Sequence, residues 1–376
     1  MTRTATLLIA VVVAGCGGSA SSDVAVLEGR LSDIVLDTVA SGLDVPWALA
    51  FAPDGRLFVT ERSGRIRVIE NGELRPKPFA TVEVAARGEA GLMGIALPPD
   101  FATSREVYVV GTFDEAGALV NRVIRFTDDN GDGITQTTIL DNIPAAIFHA
   151  GDAIAFGPDG LLYVATGDAR DPSNAQSDSS LGGKILRLRR DGTPPDDNPT
   201  RGSLAYANGV RNAQGITWLE SGHLVATDHG PSGFPNEYFR RDRDELNQIT
   251  AGSNQGWPTE SGPSTDRRFS PPLVTWSSPG IAPSGAAAYR GAHAPWRNSV
   301  FVAALKGEQL RRVTLEESSA GLKAVRDELW FNRTFGRLRA VAMGPDGSVY
   351  FTTSNRDGRG VPKPGDDHVL RLRPRQ

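Results

Sequence analysis

Three polar segments in the middle of the chain contain the residue types that could bind an anionic ligand and a hard cation. Residues 211–215 (Arg-Asn-Ala-Gln-Gly) place a guanidinium and two amides directly before an apolar strand pattern. Residues 228–231 (Asp-His-Gly-Pro) follow a short predicted strand and indicate a loop, since Gly-Pro does not continue a ladder. Residues 244–247 read Asp-Glu-Leu-Asn. Arginine and amide side chains can hold a planar, carbonyl-rich anion, and loop carbonyls beside carboxylates suit a hard cation.

The five histidines are the candidates for a general base, and His149 is the first of them. It precedes a strand that leads into a Pro-Asp-Gly turn. His223 lies inside a strand pattern and His368 begins the last predicted strand, so both are interpreted as structural, and His293 lies in a loop without reactive neighbours. The residues alone favour a structural role for a single histidine such as His149.

Internal repeats predict the elements that must position these residues. Residues 51–60 (FAPDGRLFVT) recur in similar form at 156–165 and 343–352, with weaker echoes near 97–110, 218–227 and 300–314. Each unit is a strand, a tight turn with Pro and Gly, and a second strand. The spacing of roughly 45–75 residues fits four-stranded blades. The sequence therefore predicts an all-β fold, a six-bladed β-propeller of four-stranded antiparallel blades. Pairing of strands 34–40 and 367–373 is expected to close the ring.

Residues 128–133 (DDNGDG) look like the start of a calcium loop. The sequence argues against an EF-hand, because Ile139 stands at the twelfth position, where the motif needs an acidic residue. A hairpin tip is the favoured interpretation, and a weak cation site is the alternative.

The three polar segments resemble the soluble pyrroloquinoline quinone (PQQ)-dependent sugar dehydrogenases of the aldose or glucose type. Members of that family typically carry an RNPQG-like stretch followed by HGPxGxDELN. In this chain, residues 211–215 read RNAQG, residues 229–233 read HGPSG and residues 244–247 read DELN. The resemblance runs from around Gly42 to the C-terminus, and it implies a six-bladed propeller, as the repeats do.

The resemblance implies oxidation of an aldose at its anomeric carbon to a lactone. His149 matches the position of the family's general base, which takes the hydroxyl proton while a hydride passes to PQQ. Ca²⁺ and Arg211 would supply the positive charge that the quinone oxygen needs. By the same resemblance, the backbone carbonyls of Gly230 and Pro231 would hold Ca²⁺.

Because PQQ is a tricarboxylate, several cations should line its site. Strand alternation places Arg337 and Arg339 on one face. Glu89 stands where the family has a polar contact to cofactor or substrate. The cofactor contacts implied by the resemblance are Glu89, Arg211, Asn212, Gln214, Lys306, Arg337 and Arg339.

The sequence departs from the family pattern in several places. Residues 234–243 form an extra segment where close relatives have a short turn, and this segment could reshape the sugar pocket. Ala213 replaces the usual proline. The aromatic residue expected near 278–280 and the acidic residue expected near 354–355 in glucose-type enzymes are missing. These differences leave open the sugar, the electron acceptor and the position of any second calcium.

The N-terminus has the pattern of a bacterial lipoprotein signal. Met1-Thr2-Arg3 precedes an apolar run that is too short to span a bilayer, and residues 13–16 (Val-Ala-Gly-Cys) resemble a lipobox. Cys16 is the only cysteine, so no disulfide framework is expected. We expect lipidation of Cys16, a signal peptide at 1–16, a flexible tether at 17–30 and a single propeller domain at 31–376. The expected location, after secretion across the cytoplasmic membrane, is the cell envelope, with the lipid anchor on its periplasmic or outer-surface side.

The net charge and its distribution limit the kinds of partner that the protein can bind. A net charge of −4 without a basic stripe excludes a nucleic-acid surface. The partners expected are a sugar substrate and an external electron acceptor. Two alternative functions stay open at the level of sequence: a propeller lactonase that uses a channel Ca²⁺, and a non-catalytic surface propeller. The first would not explain the cations, and His149 counts against the second.

Overall fold

A computed structural model of the chain describes residues 24–233, 237, 243–277, 279–319 and 321–375. These residues form an almost entirely β structure with one short α-helix, α1 (Phe101–Ser104), and three 3₁₀ turns at Leu31–Asp33, Pro172–Gln176 and Ala294–Trp296. The strands in chain order are β1 Val26–Glu28, β2 Ile34–Ala40, β3 Pro46–Phe51, β4 Leu57–Glu61, β5 Arg65–Glu70, β6 Glu73–Leu74, β7 Ala80–Thr81, β8 Leu92–Ala96, β9 Glu106–Glu115, β10 Ala118–Asp129, β11 Asp132–Pro144, β12 Gly151–Phe156, β13 Leu162–Thr166, β14 Lys184–Leu188, β15 Ala205–Asn208, β16 Ala213–Trp218, β17 Leu224–Asp228, β18 Arg243–Ile249, β19 Val274–Ser277, β20 Pro283–Ala288, β21 Ser299–Ala304, β22 Gln309–Ser318, β23 Gly321–Trp330, β24 Leu338–Met343, β25 Val349–Thr353 and β26 Val369–Pro374.

The strands of the described residues form six antiparallel blades around a central channel, as the repeats predict. Blade one contains β3–β6, with β7 also paired to β5, and the next four blades contain β8–β11, β12–β15, β16–β19 and β20–β23. Blade six contains β24–β26 and β2. The innermost strand of each blade contacts the innermost strands of its two neighbours, which closes the ring. Apolar side chains fill the space between blades, and this packing holds the innermost strands in fixed positions.

The Pro-Asp-Gly turns connect the first strand of a blade to the second. Gly55, Gly160 and Gly347 have φ values of 88°, 75° and 76°, a region that favours glycine. The Gly55 N–H donates to the Ala52 carbonyl at 3.0 Å, which closes the first of these turns. These turns therefore lie at one end of the propeller, and the innermost strands begin at the other end.

The two ends of the chain meet in blade six. Strand β2 pairs antiparallel with β26, in the register Ile34 with Pro374 and Asp37 with Arg371. The Arg371 Nη2 donates to Asp37 Oδ2 at 2.8 Å across this pair. The predicted closure by the terminal strands is confirmed.

The boundary predicted for the tether differs from the structure. Residues 26–28, inside the predicted tether, form β1, which pairs in parallel with β23 and adds a fifth strand to blade five. This pairing satisfies backbone groups on the outer edge of β23 that would otherwise lack partners. Three residues are too few for a recognisable strand pattern. The predicted signal peptide, Cys16 and the rest of the tether up to residue 23 lie outside the described residues.

Residues 128–133 form the hairpin tip that the sequence favours. Asn130 and Gly131 both have positive φ values, 52° and 94°, as a two-residue turn between β10 and β11 requires. Both oxygens of Asp128 are bonded within the protein: Oδ1 accepts from the Gly131 N–H at 2.8 Å, and Oδ2 accepts from Arg56 at 2.6 Å and pairs with Arg105 at 3.0 Å. Within the described ranges, no helix is long and apolar enough to cross a membrane.

Candidate active site

A cleft of about 430 Å³ opens where the loops before the innermost strands meet the loops that follow the second strands. Most of the site residues predicted from the sequence line this one cleft, although they come from five blades. They are Glu89, His149, Arg211, Gly230, Pro231, Lys306, Arg337 and Arg339. The fold therefore gathers cations and a histidine that are far apart in the sequence.

His149 is held in one orientation by a buried carboxylate. Its Nδ1 lies 2.8 Å from Asp168 Oδ1, and Asp168 is fully buried. The second oxygen of Asp168 accepts from the indole Nε1 of Trp257 at 2.8 Å. An ionised carboxylate only accepts hydrogen bonds, so the proton of a neutral His149 lies on Nδ1. Its Nε2 is then the basic nitrogen.

The backbone at His149 is also constrained. Its φ is 59°, a conformation that costs energy for a residue with a side chain. The His149 N–H donates to Glu89 Oε2 at 2.9 Å, and the His149 carbonyl accepts from the Ala169 N–H at 3.1 Å. A Cβ at Gly167 would lie 1.9 Å from that carbonyl oxygen, so only glycine fits there. The protein thus holds the histidine in a strained position at the mouth of the channel.

Glu89 and Asn212 accept hydrogen bonds from the backbone on either side of Ala150, at His149 and Gly151. The Asn212 Nδ2 donates to Glu89 Oε2 at 3.1 Å, and its Oδ1 accepts from the Gly151 N–H at 3.0 Å. Burial disfavours the charged form of Glu89, but the charges of His229 and His149 outweigh it, so the pKa of Glu89 lies below its usual range. Asn212 does not line the cleft, and its side chain contacts the loop that carries His149 instead.

Arg337 and Arg339 share one counter-ion, Asp357. The Arg337 Nε donates to Asp357 Oδ2 at 2.7 Å, and the Arg339 Nη2 lies 3.4 Å from the same oxygen. Burial disfavours the charged carboxylate of Asp357, but the charges of Arg339 and Arg337 keep its pKa below the usual value. The Arg339 guanidinium stacks on the Trp47 ring at 3.5 Å. These contacts fix two cations on one wall of the cleft.

The loop after β17 places Gly230 and Pro231 at the cleft. The Gly230 N–H donates to Asp244 Oδ1 at 2.9 Å, and the Ala282 N–H donates to the other oxygen of Asp244 at 2.7 Å. A Cβ at Gly230 would lie 2.1 Å from the Arg243 carbonyl oxygen, so glycine is required at this close approach. Asp228 accepts from the Arg211 N–H at 2.9 Å, and burial raises the pKa of Asp228 to about 6.

Comparison with known proteins identifies one family over most of the chain. The sequence model of the Glucose / Sorbosone dehydrogenase family matches residues 43–363. The chain belongs to this dehydrogenase family. A crystal structure of an oxidoreductase from Thermus thermophilus, assigned as a glucose dehydrogenase, is 43% identical with a TM-score of 0.83, covering 90% of this chain and 100% of that one.

Two further relatives carry sugar dehydrogenase names. The PQQ-bound aldose sugar dehydrogenase of Streptomyces coelicolor is 35% identical, with a TM-score of 0.80, over 92% of this chain and 100% of that chain. The aldose sugar dehydrogenase YliI of Escherichia coli is 31% identical over 86% of this chain and 91% of its own length. The family resemblance read from the sequence is confirmed.

In this member of the glucose/sorbosone dehydrogenase family, Gln214 lies apart from the other predicted cofactor contacts. It lines a second cavity of about 340 Å³ inside the central channel. The Ser284 hydroxyl donates to Gln214 Oε1 at 3.2 Å. Strand β16 runs from the mouth down the channel wall, so a residue only three positions after Arg211 already faces the channel.

The dehydrogenase fold also brings residues that sequence reasoning missed into contact with residues of the cleft. Asp168 and Asp357 follow second strands of blades three and six, at positions where no motif marks them. An acidic residue directly after the second strand of a blade is the signal that could have identified Asp168. Glu237, which with Arg243 is one of two described residues in the extra segment, contacts Arg211.

Proposed function

We propose that the chain is a PQQ-dependent oxidoreductase that oxidises aldose sugars at the anomeric carbon to lactones. The observation that carries the proposal is the cleft itself, where a histidine oriented by a carboxylate faces a group of cations. The family and the named relatives support a sugar as the substrate.

The charges of the cleft fit a tricarboxylate cofactor. Its lining contains five cations against three carboxylates, Glu89, Asp244 and Asp357, and the cations are Arg211, Lys306, Arg337, Arg339 and Arg359. Arginine forks and a lysine would hold the carboxylates of PQQ by charge-assisted hydrogen bonds. In the described ranges, no three His, Cys, Asp or Glu side chains are close enough to hold a metal. Ca²⁺ would therefore take the backbone carbonyls of Gly230 and Pro231, and oxygens of the cofactor would complete its ligand set.

His149 would perform the proton transfer. Its Nε2 would take the proton of the anomeric hydroxyl, and the resulting imidazolium would be stabilised by Asp168. When bound, PQQ accepts the hydride from the anomeric carbon, which leaves the sugar as its lactone. Arg211 would place its positive charge beside the bound cofactor, where negative charge develops. An external acceptor would then remove the two electrons.

The alternatives weighed from the sequence have less support. A propeller lactonase needs a calcium ion held by carboxylates in the channel. The channel cavity is lined by small and apolar residues, with Gln214 and Ser284 as its polar side chains. A binding propeller without activity does not need the strained, carboxylate-oriented histidine at position 149.

Reconstitution tests the proposal. Adding PQQ and Ca²⁺ to the cofactor-free protein is expected to change the PQQ absorption spectrum. The reconstituted protein is then expected to reduce a dye with aldoses as electron donors. Exposed Glu220→Gln is the matched surface control and should behave as the native chain does. No spectral change with PQQ, or no dye reduction with any aldose, would contradict the proposed function.

The N-terminal pattern supports a second part of the proposal: Cys16 carries a lipid that anchors the secreted protein at the cell envelope, on the periplasmic or the outer-surface side. In cells that express the full chain, the protein is expected in the membrane fraction with a lipidated Cys16 as its first residue. Cys16→Ser should move it to the soluble fraction, because the propeller contributes no membrane-spanning helix in its described residues. A mass spectrum showing an unmodified N-terminus after residue 16 would overturn the anchor.

A further inference from the structure

Glu237 forms a buried ion pair with Arg211, one of the cations of the cleft. Arg211 Nε donates to Glu237 Oε1 at 2.7 Å, and Arg211 Nη2 contacts the same oxygen. The exposed fractions of the two side chains are 2% for Arg211 and 1% for Glu237. The pair is therefore almost completely shielded from water.

The second oxygen of Glu237 binds the loop that carries Gly230 and Pro231. It accepts from the backbone N–H of Ser232 at 2.8 Å and of Gly233 at 2.6 Å. The Arg211 Nη2 also donates to the Ser232 hydroxyl at 3.2 Å, and the Arg211 Nη1 donates to the His229 carbonyl at 3.1 Å. The Glu237 carboxylate thus connects Arg211 to the loop. One of its oxygens binds the guanidinium, and the other binds two backbone N–H groups of the loop.

Glu237 lies behind Arg211 and outside the cleft. Arg211 and Ser232 are among the residues that line the cleft, and Glu237 is not. A guanidinium has five N–H groups, and the contacts to Glu237, Ser232 and His229 use four of those of Arg211. Among the residues that the structure describes, one Nη1 N–H of Arg211, a residue that lines the cleft, takes part in none of these contacts.

Because the Arg211 guanidinium is shielded from water, its charge needs a carboxylate partner. A guanidinium that is buried without a counter-ion loses its hydration, and the cost exceeds that of breaking an exposed pair. The other contacts of the Arg211 guanidinium are neutral: the His229 carbonyl, the Ser232 hydroxyl and the Trp257 ring at 5.5 Å. The Asp228 carboxylate accepts from the backbone N–H of Arg211. Without Glu237, Arg211 would gain free energy by turning toward solvent, and the loop would lose two hydrogen bonds.

We propose that Glu237 is a positioning residue that couples the cofactor-binding arginine to the calcium-binding loop. The inference rests on the proposed function, because it assigns the cofactor to the cleft and Ca²⁺ to the carbonyls of Gly230 and Pro231. It gives a role to one residue of the segment 234–243, which lengthens this loop relative to the family pattern. Removing the carboxylate should weaken both PQQ and Ca²⁺ binding, although Glu237 touches neither.

Equilibrium titrations of the cofactor-free full chain test this role. PQQ is titrated at saturating Ca²⁺, Ca²⁺ is titrated at saturating PQQ, and tryptophan fluorescence and PQQ absorption are the signals. Glu237→Gln is expected to raise both dissociation constants by about 10- to 100-fold, the usual effect of losing a group that orients a ligand. Glu220→Gln, the same substitution on an exposed turn of blade four, should leave both constants unchanged.

A double substitution separates action through Arg211 from a general loss of stability. In an Arg211→Ala background, Glu237→Gln should lower PQQ affinity less than it does in the native chain, since only its bonds to the Ser232 and Gly233 N–H groups are left to lose. An equal loss in both backgrounds, or a lowered melting temperature of the cofactor-free protein with unchanged affinities, would overturn the proposal.

If Glu237→Gln does not fold, Glu237→Asp is the second variant. It keeps the charge and withdraws it by one methylene, and unchanged affinities in that variant would also overturn the proposal. If the native chain binds no PQQ, the proposed function itself is wrong, which is a different result from a native chain and a variant that bind equally.

Discussion

Replacing His149 by alanine is expected to lower the kcat of the reconstituted protein by about 10²- to 10⁴-fold, the usual contribution of a general base. The imidazole lies in the cleft and Asp168 orients it, so the substitution removes the proposed proton acceptor. The dissociation constant of PQQ should change little, because the cations that would hold the carboxylates remain. Steady-state dye reduction and a PQQ titration measure the two effects separately.

His223→Ala is the matched control for this experiment. His223 lies directly before β17, its Nδ1 is 3.2 Å from Gln248 Nε2, and it does not line the cleft. Its loss should leave kcat within about twofold of the native value, as surface substitutions commonly do. A His149→Ala protein that binds PQQ and keeps more than about a tenth of the native kcat would contradict the role of His149 as the base.

Replacing Asp168 by asparagine is expected to lower kcat by roughly 10²- to 10⁴-fold while the shape of the side chain is kept. The native carboxylate accepts from both His149 Nδ1 and Trp257 Nε1. Asparagine has one oxygen and one NH₂ group. If its oxygen keeps the Trp257 bond, its NH₂ group faces His149. The imidazole must then accept at Nδ1 and carry its proton on Nε2, where it cannot take another.

The effect should appear in kcat with little change in the KM for the sugar, because Asp168 does not line the cleft. Asp171→Asn is the control, since it makes the same substitution three residues later on an exposed turn. There the side chain accepts from the Ser173 N–H at 3.1 Å, and asparagine is an equally good cap. Equal activity of Asp168→Asn and the native protein would show that the carboxylate does not set the tautomer.

The fold was predictable because its signals are local. The turns around Gly55, Gly160 and Gly347 carry the Pro and positive-φ Gly that connect two strands, and each repeat marks one blade. Closure followed from the two strands left over at the ends of the chain, 34–40 and 367–373. Strand β1 was not predictable in this way, because a three-residue strand on an outer edge has no periodicity to recognise.

Prediction of the site was less complete. Residues such as His149 and Lys306 could be assigned because they stand in multi-residue patterns next to strand ends. Asp168 could not, because its contact depends on the pairing of Gly151 with Thr166 and on the bulge that follows in β12. Gln214 belongs to a motif but lines the channel cavity, and the sequence does not state where β16 enters the channel. Glu237 lies in a segment without any repeat pattern, and only the folded chain brings it to Arg211.

The closure of the ring in blade six has a consequence for biosynthesis. Asp37 and Arg371, which bond across the closing strands, are 334 residues apart in sequence. All strands of blades one to five are synthesised before β26, so β2 has no partner strand until β26 is made. The residues of β26, which follow every other strand of the propeller, are the ones that join β2 to blade six. A nascent chain halted before Val369 would therefore be an open arc with exposed strand edges, a substrate for chaperones and for aggregation.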